Sequence, residues 1–238
     1  MTQHTIALAG STAIVTGASR GFGRGIAEAF TAAGAHVVGV ARSGGTVTAD
    51  AADPATAHRL IDQYAPRTVV LCAGAAPQMS PLQQQTWESF SLNWNVDVAQ
   101  AFHWIREALL RPLAPGSTVV AVSSGAAVNG SPLSGGYAGA KATVRMITEY
   151  AALESERAGL DIDFVSVLPS LTPATALGAK AVAAYAARQE VDVEQFVQSL
   201  PPALTAEQVG KSVLEIATAG PCGHRAYMLG PAGLSPLG

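Results

Sequence analysis

Thr16-Gly17-Ala18-Ser19-Arg20-Gly21-Phe22-Gly23 is the stretch that decides the fold. It follows an apolar, β-rich run, Ala13–Thr16. It leads directly into Arg20–Ala33, where Ile26, Ala29, Phe30 and Ala33 recur at helical spacing. A phosphate held at such a turn must approach backbone N–H groups closely, and a Cβ would stand in its way. Gly17, Gly21 and Gly23 remove that obstruction, and the helix N-terminus supplies partial positive charge. With 24 glycines in the chain, the spacing alone proves little. Its position between a strand and a helix is what gives it meaning.

Outward from this turn the same rhythm repeats. Further strands are expected at His36–Ala41, Thr68–Leu71, Thr118–Ser123, Asp163–Leu168 and Ala226–Leu229. Their apolar character is nearly continuous, as in parallel strands buried on both faces. Helices are expected at Pro54–Gln63, capped by Asp53, at Thr86–Leu110, at Tyr137–Ala158 before Gly159, and at Thr205–Ala219 with Thr205 and Gln208 as a capping pair. Alternating strands and helices predict an α/β fold: a Rossmann-type, doubly wound parallel sheet in three αβα layers. No linker or repeat divides residues 1–238, so a single domain is expected. Residues 170–204 break the rhythm, with prolines at both ends and an Ala-rich middle. Such an excursion beyond a strand's carboxyl end is expected to form a lid over the site.

Composition narrows the function. The chain is 49% hydrophobic and 13% charged with a net charge of −3, which suits a large core and excludes a basic nucleic-acid surface. Neither the two cysteines, Cys72 and Cys222, nor the five histidines show metal-ligand spacing, and no metal is expected. No run reaches the about 18 apolar residues of a spanning helix, and no signal peptide is read, so a cytoplasmic protein without membrane partners is expected.

After the second strand comes Val40-Ala41-Arg42-Ser43, without an acid. An acid there would bind a ribose 2′-hydroxyl and repel a 2′-phosphate. Arg42 instead offers a guanidinium fork and Ser43 a hydroxyl, with Arg20 as a second positive charge. NADP(H) is therefore expected in preference to NAD(H).

Farther on, the strand Thr118–Ser123 runs into Ser124, and Tyr137 and Lys141 follow at helical i, i+4 spacing. A phenol with an ordinary pKa of about 10 is a poor acid/base at neutral pH, and a nearby cation favours its ionised form. Ser124, placed beside it, can hydrogen-bond a substrate oxygen as charge develops there.

On these motifs the whole chain resembles the short-chain dehydrogenase/reductase superfamily, in its single-domain branch. The resemblance implies Ser124, Tyr137 and Lys141 as catalytic residues, with Lys141 also holding the nicotinamide ribose. It implies an asparagine as proton relay, for which Asn95 is the best match and Asn93 its rival. Asp50 matches an adenine contact. Cys72-Ala73-Gly74 matches an Asn-Ala-Gly turn, with cysteine in place of asparagine. Pro169-Ser170 replaces a Pro-Gly turn, leaving Pro169 and Thr172, with Leu168 and Leu171, as candidates near the nicotinamide. The stretch from Arg42 to Asp50 is short, so the usual helix there is expected to shrink to a loop.

The expected activity is hydride transfer between NADPH and a small, largely apolar ketone or aldehyde. The apolar preference comes from Leu171, Leu177, Val182, Tyr185 and Phe196 in the lid segment. The alternatives are an NADP(H)-binding regulator or scaffold without chemistry and, ranked last, a nucleotide-sugar epimerase. The resemblance also implies a homodimer or homotetramer built on the 86–110 and 137–158 helices. The aromatics Trp87, Trp94, Phe102 and Trp104 are read as core or subunit packing.

Overall fold

The computed structural model describes residues 8–219 and 223–237, so His4 and Cys222 lie outside the described residues. Eight strands form one sheet in the order β3-β2-β1-β4-β5-β6-β7-β8. They are β1 (Thr12–Thr16), β2 (His36–Ala41), β3 (Val47–Thr48), β4 (Thr68–Leu71), β5 (Ser117–Val122), β6 (Ile162–Pro169), β7 (Ala226–Gly230) and β8 (Gly233–Pro236). All pairs are parallel except β7 with β8.

The apolar runs form strands because both of their faces are covered. Along β1, Ile14 joins a core with Leu60, Trp104 and Val144, while Ala13 and Val15 join another with Phe30, Val209 and Val213. Along β5, Val119 and Ala121 face the first core, and Val120 and Val122 the second. The first core is roofed by α2 (Pro54–Tyr64), α4 (Ala99–Leu110) and α6 (Gly135–Ala158), the second by α1 (Gly21–Ala32) and α9 (Ala206–Ala219). This is the three-layer, doubly wound arrangement the alternation implied.

Local chemistry ends several helices where the sequence places them. Asp53 accepts from the Ala55 N–H at 2.9 Å ahead of Pro54. Thr205 and Gln208 cap reciprocally, at 3.1 and 2.8 Å. Gly159 closes α6 in the left-handed region at φ 62°.

The 42–49 stretch carries no helix, as the short spacing implied, only the two-residue β3 against β2. Two features depart from the expected pattern. The expected helix 86–110 is three pieces: α3 (Trp87–Asn93), a π-helical turn (Trp94–Val98) and α4. Residues 170–204 hold α7 (Ala176–Arg188) and α8 (Val193–Gln198), which bury Val182, Ala186 and Phe196 in a small core of their own. A short helix, α5 (Ala126–Asn129), follows β5.

Candidate active site

The strand order reverses between β1 and β4, so the loops leaving their carboxyl ends diverge and open a crevice. The glycine turn lines one wall. Gly17 adopts φ 69°, and a Cβ there would lie 2.8 Å from Cα and N of Ala73. This glycine lets the turn pack directly on the Cys72-Ala73-Gly74 segment. The hydroxyl of Thr16 fixes the junction: it donates to Oε1 of Gln100 at 2.6 Å and accepts from the backbone N–H groups of Cys72 and Ala73 at 2.9 and 3.2 Å. Gln100 in turn donates to the Ala73 carbonyl at 2.9 Å.

The features needed for an anionic dinucleotide are present. α1 begins at an extended Arg20 with no side-chain cap, and its first turn holds no acid. Its N–H groups and partial positive charge are therefore free of internal competition. Arg20 and Arg42 are exposed and have no acidic partner among the described residues, whereas Arg24, Arg111, Arg157 and Arg225 each pair with a carboxylate. The loop after β2 reaches the turn: a Cβ on Gly44 would lie 3.7 Å from Cβ of Ser19. Thr175, ahead of α7, comes within 3.9 Å of a Cβ built on Gly21.

The remaining candidates occupy varied environments. Ser43 is exposed, and Phe22 packs on the second core. Asp50 is exposed, with Oδ1 accepting from the Ala52 N–H at 2.9 Å. Pro169 ends β6, and its carbonyl accepts from Gly125 at 2.9 Å. Thr172 is buried, its hydroxyl donating to the Leu204 carbonyl at 3.0 Å. That bond ties the two ends of the 170–204 excursion together. Within the excursion Leu171, Leu177 and Val193 are exposed large hydrophobics, while Val182 and Phe196 are spent on its own core.

The chemistry-bearing groups meet at the end of β5. The two adjacent serines differ in their partners. Ser123 is buried and donates to the Lys141 carbonyl at 2.7 Å, while half-buried Ser124, among the described residues, accepts only the Ala126 N–H, at 3.2 Å. Tyr137 and Lys141 lie on one face of α6, with Nζ 5.7 Å from the centroid of the phenol ring. Nζ also donates to the Val122 carbonyl at 3.1 Å.

The expected asparagine relay is corrected here. Asn95 is exposed, and no hydrogen bond joins it to Lys141. The side chain that meets the ammonium is Asp97, with Oδ1 3.0 Å from Nζ. The π-helical turn carries the chain an extra residue around, so Asp97 and Asn93 face inward and Asn95 faces out. Asn93, the rival, is fully buried and donates to Oδ2 of Asp97 at 3.1 Å and to the Ala75 carbonyl at 2.8 Å.

Burial alone would push the Lys141 ammonium down. The Asp97 carboxylate more than reverses this, and Lys141 is held above the usual lysine range. Burial also pushes the Cys72 thiol up to about 11, against the pull of Lys141. The thiol is thus a poor nucleophile at neutral pH.

Residues 17–218 match the family described as enoyl-(acyl carrier protein) reductase. The chain belongs to this family, within the short-chain dehydrogenase/reductase superfamily. An L-xylulose reductase from Mesocricetus auratus is 31% identical over 165 residues, 63% of this chain and 67% of that one. A solved structure described as an NAD(P)-dependent gluconate 5-dehydrogenase from Beutenbergia cavernae, with NADP bound at low occupancy, is 26% identical with a TM-score of 0.74. The aligned region covers 90% of this chain and 92% of that one. A short-chain dehydrogenase from Burkholderia cenocepacia in complex with NADP shares the fold at a TM-score of 0.75 and 24% identity, over 90% and 92% of the two chains. This short-chain dehydrogenase/reductase is therefore an oxidoreductase acting on CH–OH/C=O pairs with a nicotinamide cofactor. Among its described residues no helix is long and apolar enough to cross a membrane, and no cluster of metal-ligand side chains occurs.

Proposed function

We propose that the protein is an NADP(H)-dependent carbonyl reductase, and that Tyr137 is its general acid/base. The observation that carries this reading is the placement of the Lys141 ammonium 5.7 Å from the Tyr137 ring, at the strand end that also presents Ser124. A reduced nicotinamide, when bound, would supply the hydride for the carbonyl carbon. Ser124 and Tyr137 hydrogen-bond the substrate oxygen, favouring the charge that develops on it. Tyr137 then gives its proton to that oxygen, completing the alcohol, and recovers a proton from solvent. Lys141 favours the phenolate left behind and binds the nicotinamide ribose. The reverse sequence oxidises the alcohol.

Gly17, Ser19, Gly21, Phe22 and Gly23 would hold the diphosphate, and Ala73, Gly74, Asp50, Pro169 and Thr172 would hold the rest of the dinucleotide. Preference for NADP(H) is supported by Arg42 and Arg20, exposed and without acidic partners, with Ser43 beside them. We assign a small ketone or aldehyde as substrate. Exposed Leu171 and Leu177 support a largely apolar one, and the 170–204 helices act as its lid. Assembly into a homo-oligomer is supported by the apolar side chains left exposed on α3, α4 and α6.

The test is a panel of 2-octanone, cyclohexanone, benzaldehyde and xylulose, following NADPH absorbance and then repeated with NADH. Turnover of the apolar carbonyls with NADPH is expected. In Tyr137→Phe, a loss of about 10²–10⁴-fold in kcat is expected. Full turnover by that variant rules out the assigned acid/base. Xylulose turned over in preference to the others moves the substrate to the polyhydroxy ketones.

A further inference from the structure

Ser124, Tyr137 and Lys141 account for the substrate oxygen and its proton, yet a carboxylate is buried against the same lysine. Asp97 is 1% exposed and Lys141 8%. Oδ1 of Asp97 stands 3.0 Å from Nζ, and Oδ2 accepts from the Ala75 N–H at 3.0 Å and from Nδ2 of Asn93 at 3.1 Å. Removing a carboxylate from water is unfavourable unless it is paired and hydrogen-bonded, and here it is both. The backbone makes room for it: a Cβ on Gly74 would lie 2.7 Å from Oδ1 and 3.1 Å from Cγ.

This is more than a structural ion pair in two respects. The ammonium that Asp97 neutralises is the one beside the phenol, 5.7 Å from its ring centroid. Lys141 is also anchored without Asp97, through Nζ to the Val122 carbonyl at 3.1 Å and through its own carbonyl to Ser123 at 2.7 Å. What Asp97 adds is chiefly charge.

We propose that Asp97 is a positioning residue that holds Nζ of Lys141 and offsets the ammonium's pull on the phenol of Tyr137. This rests on the reductase reading. An unmatched ammonium favours a neighbouring phenolate, and one matched by a buried carboxylate favours it less. The titratable groups facing the pair are Tyr137 from α6 and Cys72 from the end of β4. The Cys72 thiol, pushed up to about 11 by burial, stays neutral below that range and leaves the balance unchanged.

The test uses the alcohol matching whichever panel carbonyl turns over, with saturating NADP⁺. In this direction Tyr137 takes the hydroxyl proton as the hydride leaves the carbon for the oxidised nicotinamide, so kcat/KM rises with pH to a plateau. In Asp97→Asn the midpoint of that rise is expected to move toward acid by about one pH unit, the size of effect a unit charge gives at this range in a partly solvated site. The falling limb of carbonyl reduction moves the same way. A midpoint that stays put, or moves toward alkali, overturns the proposal, and so does a uniform loss of rate at every pH. If Asp97→Asn fails to fold, Gly74→Ala decides, because its methyl displaces the carboxylate from Lys141. A smaller acid shift is expected there, and an unmoved midpoint overturns. Wild-type protein inactive on the whole panel overturns the reductase reading and this proposal together. Turnover with unmoved midpoints overturns this proposal alone.

Discussion

The hydroxyl of Ser123 donates to the backbone carbonyl of Lys141 across 2.7 Å, clamping the end of β5 to α6 at the residue that bears the ammonium. Its neighbour Ser124 makes no such tie and, among the described residues, accepts only the Ala126 N–H. Adjacent serines should therefore fail in different ways. In Ser123→Ala a buried hydrogen bond is lost, worth about 1 kcal/mol, and Tm should fall by about 2–4 °C. Catalysis there should drop only as far as the lysine loosens. In Ser124→Ala, Tm should hold while kcat falls about 10²-fold or more, the scale of a lost donor to a developing oxyanion. Thermal melts run beside steady-state kinetics separate the two. Equal Tm losses would mean that Ser124 also serves the fold.

Arg42 tests the cofactor preference. It is exposed, in the loop that reaches the glycine turn through Gly44, and has no carboxylate partner among the described residues. Charge-assisted bonds to a 2′-phosphate are worth about 1.5–3 kcal/mol, so Arg42→Ala should raise the KM for NADPH by about 10–100-fold. The KM for NADH, which lacks that phosphate, should stay within about twofold on the same reasoning. The ratio of kcat/KM for the two cofactors is the measurement. An unchanged ratio would move the phosphate contact to Arg20 or Ser43.

The layered sheet was legible because its strands are buried on both faces, which makes runs such as Ala13–Thr16 and Thr68–Leu71 apolar throughout. β3 and β8 carried no such signal. β3 is two residues long, and β8 (Gly-Leu-Ser-Pro) is a poor strand former added at the sheet edge. Tyr137 and Lys141 were legible because a continuous helix preserves i, i+4 spacing. Asp97 was not, because the resemblance calls for an asparagine beside the lysine, which pointed to Asn95 and Asn93. A signal did exist. Counting back from the core residue Trp104 by helical steps gives Ala101, Gln100, Asp97 and Asn93, all buried, and passes over Asn95. The lid's apolar residues misled in the other direction, since sequence does not say whether Val182 and Phe196 face a substrate or each other.

α6 presents Met146, Tyr150 and Leu153 to solvent at 49%, 55% and 47% exposure, an i, i+4, i+7 stripe. Trp87, Trp94 and Phe102 are also exposed on the preceding helices, and Trp94 reaches within 3.8 Å of a Cβ built on Gly139 of α6. A monomer seldom leaves so much apolar surface in one region. Light scattering should therefore find an oligomer, and Tyr150→Glu should reduce its mass toward that of one chain, 24.2 kDa. A wild-type protein already at that mass would remove this assignment for the stripe.

Asp163 gives a stability prediction whose sign is fixed by its surroundings. It lies on β6 opposite Thr118 of β5, half-buried. Burial first, and then the nearby Asp161 carboxylate, raise its pKa above the ordinary value. A carboxyl raised in the folded state binds its proton more tightly folded than unfolded. Its contribution to stability is greatest below the unfolded value of about 4 and is lost as pH rises through the folded value. At neutral pH the charged form is therefore a liability that Asp163→Asn removes. Tm should rise by about 1–2 °C at pH 7, kept small by the side chain's partial access to water. At about pH 3, where the wild-type carboxyl is protonated in both states, the gain should vanish. A gain of equal size at both pH values would show that the amide stabilises through packing or hydrogen bonding and that charge has no part in it.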